Sequence, residues 1–294
     1  MRRLPPGVFA INAFIDGQTV RLIVDSGDGV PGIALTTSAA RKLKIQTTAS
    51  TRPVRGIGGA EVLSSETGRA AIVAFGSNGS GTVALLDVPL QVANFPVLEG
   101  QALDKAGRLP VDGFLGADAL RSCGAILEFP AQRLHFRAFS GNGVAADSTG
   151  NTEAMRALRT MTEIALRTDP SLGEPLWTVP VEINGKPATM LLDTGNWATR
   201  IASNHAMRFG LTPNGGAGLA VSDAAGTSVK TERAEARTFK VGSATVSPRV
   251  LLGPMGSWAQ GDLIGTLGID TLAASGAVID CERGRLFLRS RPSL

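Results

Sequence analysis

Two carboxylates stand in the same local setting. Leu22-Ile23-Val24 leads into Asp25-Ser26-Gly27, and Met190-Leu191-Leu192 leads into Asp193-Thr194-Gly195. A short apolar run bounded by turn residues reads as a buried strand, so each segment would present an acid at a strand's end. Brought face to face at about 3 Å, two such acids cannot both ionise; they share one proton and their pKa values split. The ionised member can take a proton from a trapped water while the protonated member polarises a carbonyl. Water then attacks directly, with no covalent enzyme intermediate. Gly27 and Gly195, lacking a Cβ, let another backbone approach, and the Ser26 and Thr194 hydroxyls are placed to brace the opposite loop.

One such triplet means little in a chain with 36 glycines. Two triplets at matching points of an internal repeat are specific. Residues 112–137 laid over 264–289 are identical at ten of 26 positions, beginning Asp112-Gly113-Phe114-Leu115-Gly116 over Ile264-Gly265-Thr266-Leu267-Gly268. Ile15-Asp16-Gly17 falls over Ile183-Asn184-Gly185, and Ile33 over Ile201, eight residues past each acid. The order of features is the same in both halves, which predicts a duplicated unit. The expected organisation is an amino-terminal lobe at 1–139, a Gly/Ala/Ser/Asn-rich linker at 140–160, and a carboxy-terminal lobe at 161–294.

The elements that would position the acids are mostly strands. Residues 8–14 and 177–183 end in Asp-Gly and Asn-Gly, strong hairpin turns, and 20–25 and 188–193 return from them. Short helices are predicted at 37–43 and 204–209. Second short helices are predicted at 118–123 and 270–274, with Asp118 and Asp270 as caps. Residues 125–129 with 134–137, and 277–281 with 286–289, close each half as hairpins. Residues 161–168 are expected to pair with 177–183, a strand without counterpart before Val8.

Composition narrows the classes. With 43% hydrophobic and 18% charged residues, the 294-residue chain reads as a soluble globular protein. A net charge of +4, scattered and without interleaved aromatics, gives no nucleic-acid footprint. No stretch reaches the ~18 apolar residues of a membrane span. Met1-Arg2-Arg3 is followed by Pro5-Pro6-Gly7 where an export signal needs its apolar run. The default compartment is therefore cytoplasmic, with a periplasmic or secreted location if a leader is missing. Cys123 and Cys281 read as reduced core thiols, with one bridge the alternative. His135 and His205 have no partners at metal spacing, so no metal or other cofactor is expected. A Gly-x-Ser-x-Gly elbow is absent.

These residues resemble the aspartic peptidases of the retroviral-protease and pepsin type, particularly bacterial retropepsin-like proteins with both halves fused. The resemblance covers 8–137 and 162–289. It rests on the two acid triplets, the aliphatic residue eight places on, and the later elements Phe114-Leu115-Gly116 and Thr266-Leu267-Gly268. Val54-Arg55-Gly56-Ile57-Gly58-Gly59 is similar to the glycine-rich flap of the retroviral enzymes, and Val221-Ser222-Asp223-Ala224-Ala225-Gly226-Thr227 stands at the matching place.

The resemblance implies an all-β, bilobal fold with a cleft between two pseudo-symmetric lobes. It implies a monomer, since one chain supplies both halves, and endopeptidase cleavage of an extended polypeptide with Asp25 and Asp193 as the water-activating pair. Ser26, Gly27, Thr194 and Gly195 would support the loops. Arg55, Gly56, Ile57, Gly58 and Gly59, with Ser222, Asp223 and Ala224, would cover the substrate, their amides adding to an extended strand. Arg55 or Arg200 would favour acidic side chains, and Trp197 either lines a subsite or packs.

The sequence departs from the family at Asp28 and Asn196, where a small Ala, Ser or Thr is usual. A third carboxylate there raises the pair's proton affinity unless it faces solvent or a cation. The rival readings are a catalytically impaired peptide-binding module of the same fold, and a structural or assembly scaffold.

Overall fold

The structure is a computed structural model that describes residues 1–4, 7–51, 54–55, 61–62, 64–76, 83–98, 110–136, 158–169, 172, 176–215, 218–222, 226–256 and 258–290. In the first half the chain runs through β1 (Arg2–Arg3), β2 (Phe9–Ile15), β3 (Gln18–Val24), β4 (Ile33–Thr36), α1 (Thr37–Leu43) and β5 (Thr47–Ala49). A small ribbon follows, β6 (Val54–Arg55) with β7 (Glu61–Val62), then the long hairpin β8 (Ser65–Phe75) and β9 (Val83–Ala93). β10 (Gly113–Leu115), α2 (Ala117–Ser122), β11 (Ile126–Glu128) and β12 (Arg133–His135) close it.

The second half repeats this plan. β13 (Thr162–Ala165), β14 (Arg167–Thr168), β15 (Trp177–Ile183), β16 (Lys186–Leu192) and β17 (Arg200–Ala202) come first. They are followed by β18 (Leu219–Ser222), β19 (Ser228–Ala234), β20 (Phe239–Val241), β21 (Ala244–Val246) and β22 (Val250–Gly253). β23 (Leu263–Leu267), α3 (Ile269–Ala274), β24 (Val278–Asp280) and β25 (Arg285–Leu288) complete the chain. The fold is all-β with a few short helices, as the sequence predicts. No helix among the described residues is long and apolar enough to cross a membrane.

Each half builds its own twisted sheet, ordered β1-β2-β3-β10-β4-β9-β8-β5 in the first and β18-β19-β22-β17-β23-β16-β15-β20-β21 in the second, with β14 also on β15. The hairpin turns are those the sequence predicts: Asp16 and Gly17 have φ of 46° and 80°, and Asn184 and Gly185 have 50° and 78°. Both central residues in the left-handed region make the tight turn whose twist matches its strands. Leu22, Val24, Met190 and Leu192 are buried, so the acid-bearing strands run through the core as their aliphatic triplets require.

In both sheets one late strand slides between the acid strand and the next. β10 pairs parallel with β3 and antiparallel with β4, and β23 does the same with β16 and β17. The close fit needs glycine. A Cβ on Gly113 would lie 2.0 Å from the Ala34 carbonyl oxygen, and one on Gly265 2.0 Å from that of Arg200.

Four expectations are corrected. First, Ile201 pairs with Gly265 while Leu35, not Ile33, pairs with Gly113. The loop after Asp25 is two residues longer than that after Asp193, so equal spacing from the acids does not mean equal place. Second, 204–209 is not an α-helix but two 3₁₀ turns, Ser203–His205 and Met207–Phe209. Thr36 caps α1 by accepting from Ala39 N at 3.1 Å, whereas Ala202 has no hydroxyl to do so.

Third, Asp118 and Asp270 are not helix caps. Gly116 and Gly268 hold the cap positions, and the acids point from the first helical turn to the loop behind each Asp triplet. Fourth, only Arg167–Thr168 of 161–168 pairs with β15, while Thr162–Ala165 pairs with β25. β1 supplies the counterpart that seemed absent: Arg3↔Phe9 matches Thr168↔Trp177.

The terminal hairpins of the halves also join. β11 pairs with β24 (Ile126↔Asp280, Leu127↔Ile279, Glu128↔Val278) inside one sheet ordered β12-β11-β24-β25-β13. Leu127 and Ile279 are buried there, and so are Cys123 and Cys281, both free thiols. Arg121 on α2 lies over the Trp177 ring at 4.9 Å. Residues 140–157 of the expected linker lie outside the described residues.

Candidate active site

β3 and β16 end together at the junction of the halves. Asp25 N donates to Leu115 O at 3.0 Å, and Asp193 N to Leu267 O at 3.1 Å, so each inserted strand fixes the backbone of one acid. The two loops are then cross-linked. Ser26 N donates to Thr194 Oγ1 (2.9 Å), and Thr194 N to Ser26 Oγ (3.1 Å). The same hydroxyls donate onward, Ser26 Oγ to Leu192 O (2.7 Å) and Thr194 Oγ1 to Val24 O (2.8 Å). All four bonds are buried, and each hydroxyl both donates and accepts.

The glycines let each loop lie on the other's acid. A Cβ on Gly27 would lie 2.7 Å from Asp193 Cγ, and one on Gly195 2.2 Å from Asp25 Oδ2. Asp25 Oδ1 accepts from Gly27 N (2.8 Å), and Asp193 Oδ1 from Gly195 N and Asn196 N (both 3.0 Å). The Asp25 and Asp193 carboxyls thus face each other across the two glycines, each near enough to act on the other's proton affinity; two carboxyls so placed can hydrogen-bond to each other only when one carries a proton. Asp193 Oδ2 is enclosed and has no hydrogen-bond partner among the described residues.

Burial raises the proton affinity of both acids. For Asp25 the loss of solvation outweighs the opposing hydrogen bonds, chiefly from Gly27 and Gly195. For Asp193 burial is followed by the facing Asp25 charge, against which the Asn196 and Gly195 amides and Arg200 act. The geometry thus gathers two acids, their bracing hydroxyls and no room for a second negative charge.

Behind the loops, Asp118 Oδ2 accepts from Gly32 N (2.8 Å), while Asp270 Oδ1 accepts from Thr199 N and Oγ1 (both 2.8 Å). These positioning contacts were open to view in the repeat, where Asp118 and Asp270 align, but the residue type alone suggested caps. Arg200 is 1% exposed and donates to Pro254 O, so it does not reach out to a substrate's acidic side chain. Trp197 is partly buried and packs against the core.

The covering segments are described in part. Val54–Arg55 pairs with Glu61–Val62, so the strands flanking the predicted flap do form a ribbon, while Gly56, Ile57, Gly58 and Gly59 lie outside the described residues. Ser222 pairs with Ser228 at the end of the β18–β19 hairpin, while Asp223 and Ala224 lie outside them. Gly226, with φ of 80°, has its missing Cβ position 2.9 Å from Pro96 Cβ. The second half's hairpin therefore touches the turn after β9 of the first, a contact with no sequence signal.

Two sheets with inserted strands, joined by a third sheet and meeting at paired Asp loops, define an acid-protease-type fold. The sequence model of the family described as "Aspartyl protease" matches residues 11–119 and 179–271, more than half of the chain, and the chain belongs to that family. Among solved structures, basic 7S globulin from soybean is similar at 13% identity and a TM-score of 0.50, with 96% of this chain and 91% of that one covered. An aspartic proteinase from Irpex lacteus aligns at 16% identity and a TM-score of 0.49, covering 97% and 94%. A retropepsin-like aspartic protease from Rickettsia conorii aligns at 21% identity and a TM-score of 0.26 over 40% of this chain and 71% of that one. Among curated proteins none matches the chain.

Proposed function

We propose that the protein is an aspartic endopeptidase acting on extended polypeptide in the cleft between its lobes, 1–139 and 161–294. The observation that carries this reading is that the Asp25 and Asp193 carboxyls face each other inside cross-braced loops, each against the other loop's glycine. One negative charge shared by two acids is the state a water-activating pair needs. The ionised acid takes a proton from the bound water as its oxygen attacks the scissile carbonyl carbon. The protonated acid donates to the carbonyl oxygen, and the tetrahedral intermediate collapses when the leaving nitrogen receives a proton from the pair. Ser26, Thr194, Gly27 and Gly195 hold the two carboxyls in that geometry. Residues 55–59 and 222–224 cover the substrate and give it backbone partners.

The test is hydrolysis of a peptide library by the wild type and by Asp25→Asn and Asp193→Asn. Each substitution removes one of the two carboxyls that exchange the shared proton, and is expected to cut kcat by about 10³-fold or more while leaving the circular dichroism spectrum unchanged. A statine-type mimic, which places a hydroxyl where the attacking water sits, should inhibit the wild type. Cleavage undiminished in both variants would reject the pair. A folded protein that binds but cleaves no peptide would be the impaired binding module instead.

A further inference from the structure

The turns after the two acids differ at one place. In the second half, Asn196 Oδ1 accepts from Ala198 N (3.3 Å) and its Nδ2 donates to Thr266 Oγ1 (3.0 Å). Asp28 occupies the same place in the first half, its Oδ1 accepting from Val30 N (3.1 Å). The register position of Thr266, opposite Leu191, is held there by Phe114, opposite Ile23. Phe114 offers no oxygen and packs edge-on to Phe95 at 5.2 Å. Asp28 Oδ2 is enclosed and has no hydrogen-bond partner among the described residues, lying 3.1 Å from where a Cβ on Gly116 would stand.

Among the described residues, the charged groups about this turn are Asp25 beside it, Asp193 against Gly27, and Asp118, which reaches it from α2 through Gly32 N. Arg200 acts on Asp193 from the second half. An enclosed oxygen beside another acid favours the neutral form of its carboxyl.

We propose that Asp28 is a proton-holding positioning residue: it stays a neutral acid so that the Asp25–Asp193 pair carries the loop's single negative charge, and its ionisation at alkaline pH ends activity. The effect on activity rests on the peptidase reading; the protonation of Asp28 does not. Burial first, then the Asp25 charge, pushes its pKa up to about 8. The folded state therefore binds this proton more tightly than the unfolded chain, whose value is about 3.9. The stabilisation is fully present below that pH and is lost as pH rises toward about 8.

The experiment follows Tm from pH 4 to pH 9, and the pH profile of kcat/KM, for wild type, Asp28→Asn and Asp28→Ala. Asn196 holds an amide in the equivalent turn of the second half, with Thr266 as its acceptor; Asp28→Ala covers the case in which an amide beside Phe114 lacks one. The Tm difference between Asp28→Asn and wild type is expected to grow by several degrees, about 3 or more, across that range. Asp28→Ala should show the same trend even where its Tm is lower throughout. The alkaline limb should move up by about one pH unit with the acid limb in place. A Tm difference that is flat with pH in both variants would overturn the proposal, as would an alkaline limb left where it is. Absence of all peptidase activity would instead reject the peptidase reading, and the Tm trend alone would decide Asp28.

Discussion

Thr194 carries more of the site than its single hydroxyl suggests. Its Oγ1 accepts from Ser26 N and donates to Val24 O, two buried bonds that run from the second half into the first. Replacing it by Val keeps the volume but leaves an amide and a carbonyl buried without partners, each costing about 1–3 kcal/mol. Thr194→Val is therefore expected to lower unfolding free energy by about 2–4 kcal/mol, measured by urea titration, and to reduce kcat more than it raises KM. Ser26→Ala should behave alike because Ser26 Oγ accepts from Thr194 N and donates to Leu192 O. The acids themselves and these braces were legible in the sequence, since the strand-end triplets occur twice and their chemistry is local. The surroundings of Asp28 and Asn196 were not legible. Phe114 and Thr266 lie far along the chain and become neighbours of these turns only through strand insertion.

At the scale of elements, the repeat fixed which strands exist but not how their spacing divides. The Asp-Gly and Asn-Gly turns, the acid strands and the inserted strands stand where their patterns put them, because each is specified by residues adjacent in sequence. The loop after Asp25 escaped, because its two additional residues shift Leu35 rather than Ile33 into line with Ile201 without disturbing either hydrophobic run. The contact of the β18–β19 hairpin with the turn after β9 also escaped. The hairpin's reach to Pro96 depends on Gly226 at φ of 80°, a conformation that a Cβ strains and a position where one would meet Pro96 at 2.9 Å. If this hairpin covers substrate, Gly226→Ala must displace its tip while leaving the acids untouched. The expected outcome is a KM raised about tenfold, a kcat changed about twofold or less, and a Tm within about 3 °C of wild type. A kcat lost with KM unchanged would place the hairpin's role elsewhere.

At the scale of the molecule, both acids and every bond that braces them come from one chain. The two sheets that carry them are joined by the pairing of β11 with β24, in which Leu127 and Ile279 are fully enclosed. A two-chain arrangement of the same loops would form its site by association, so its activity per protein would fall on dilution below the dissociation constant. Here the two loops meet intramolecularly, with Ser26 and Thr194 168 positions apart on the same backbone. The activity per mole is therefore expected to stay constant within about twofold between about 10 nM and about 10 µM enzyme, with a sedimentation mass of one chain throughout. The comparison needs a second arm, because a tight dimer would also look constant over that range. Mixing Asp25→Asn with Asp193→Asn supplies it: subunits that exchange and complete one another's pair would regain activity, whereas a chain that completes its own site stays inactive in any mixture.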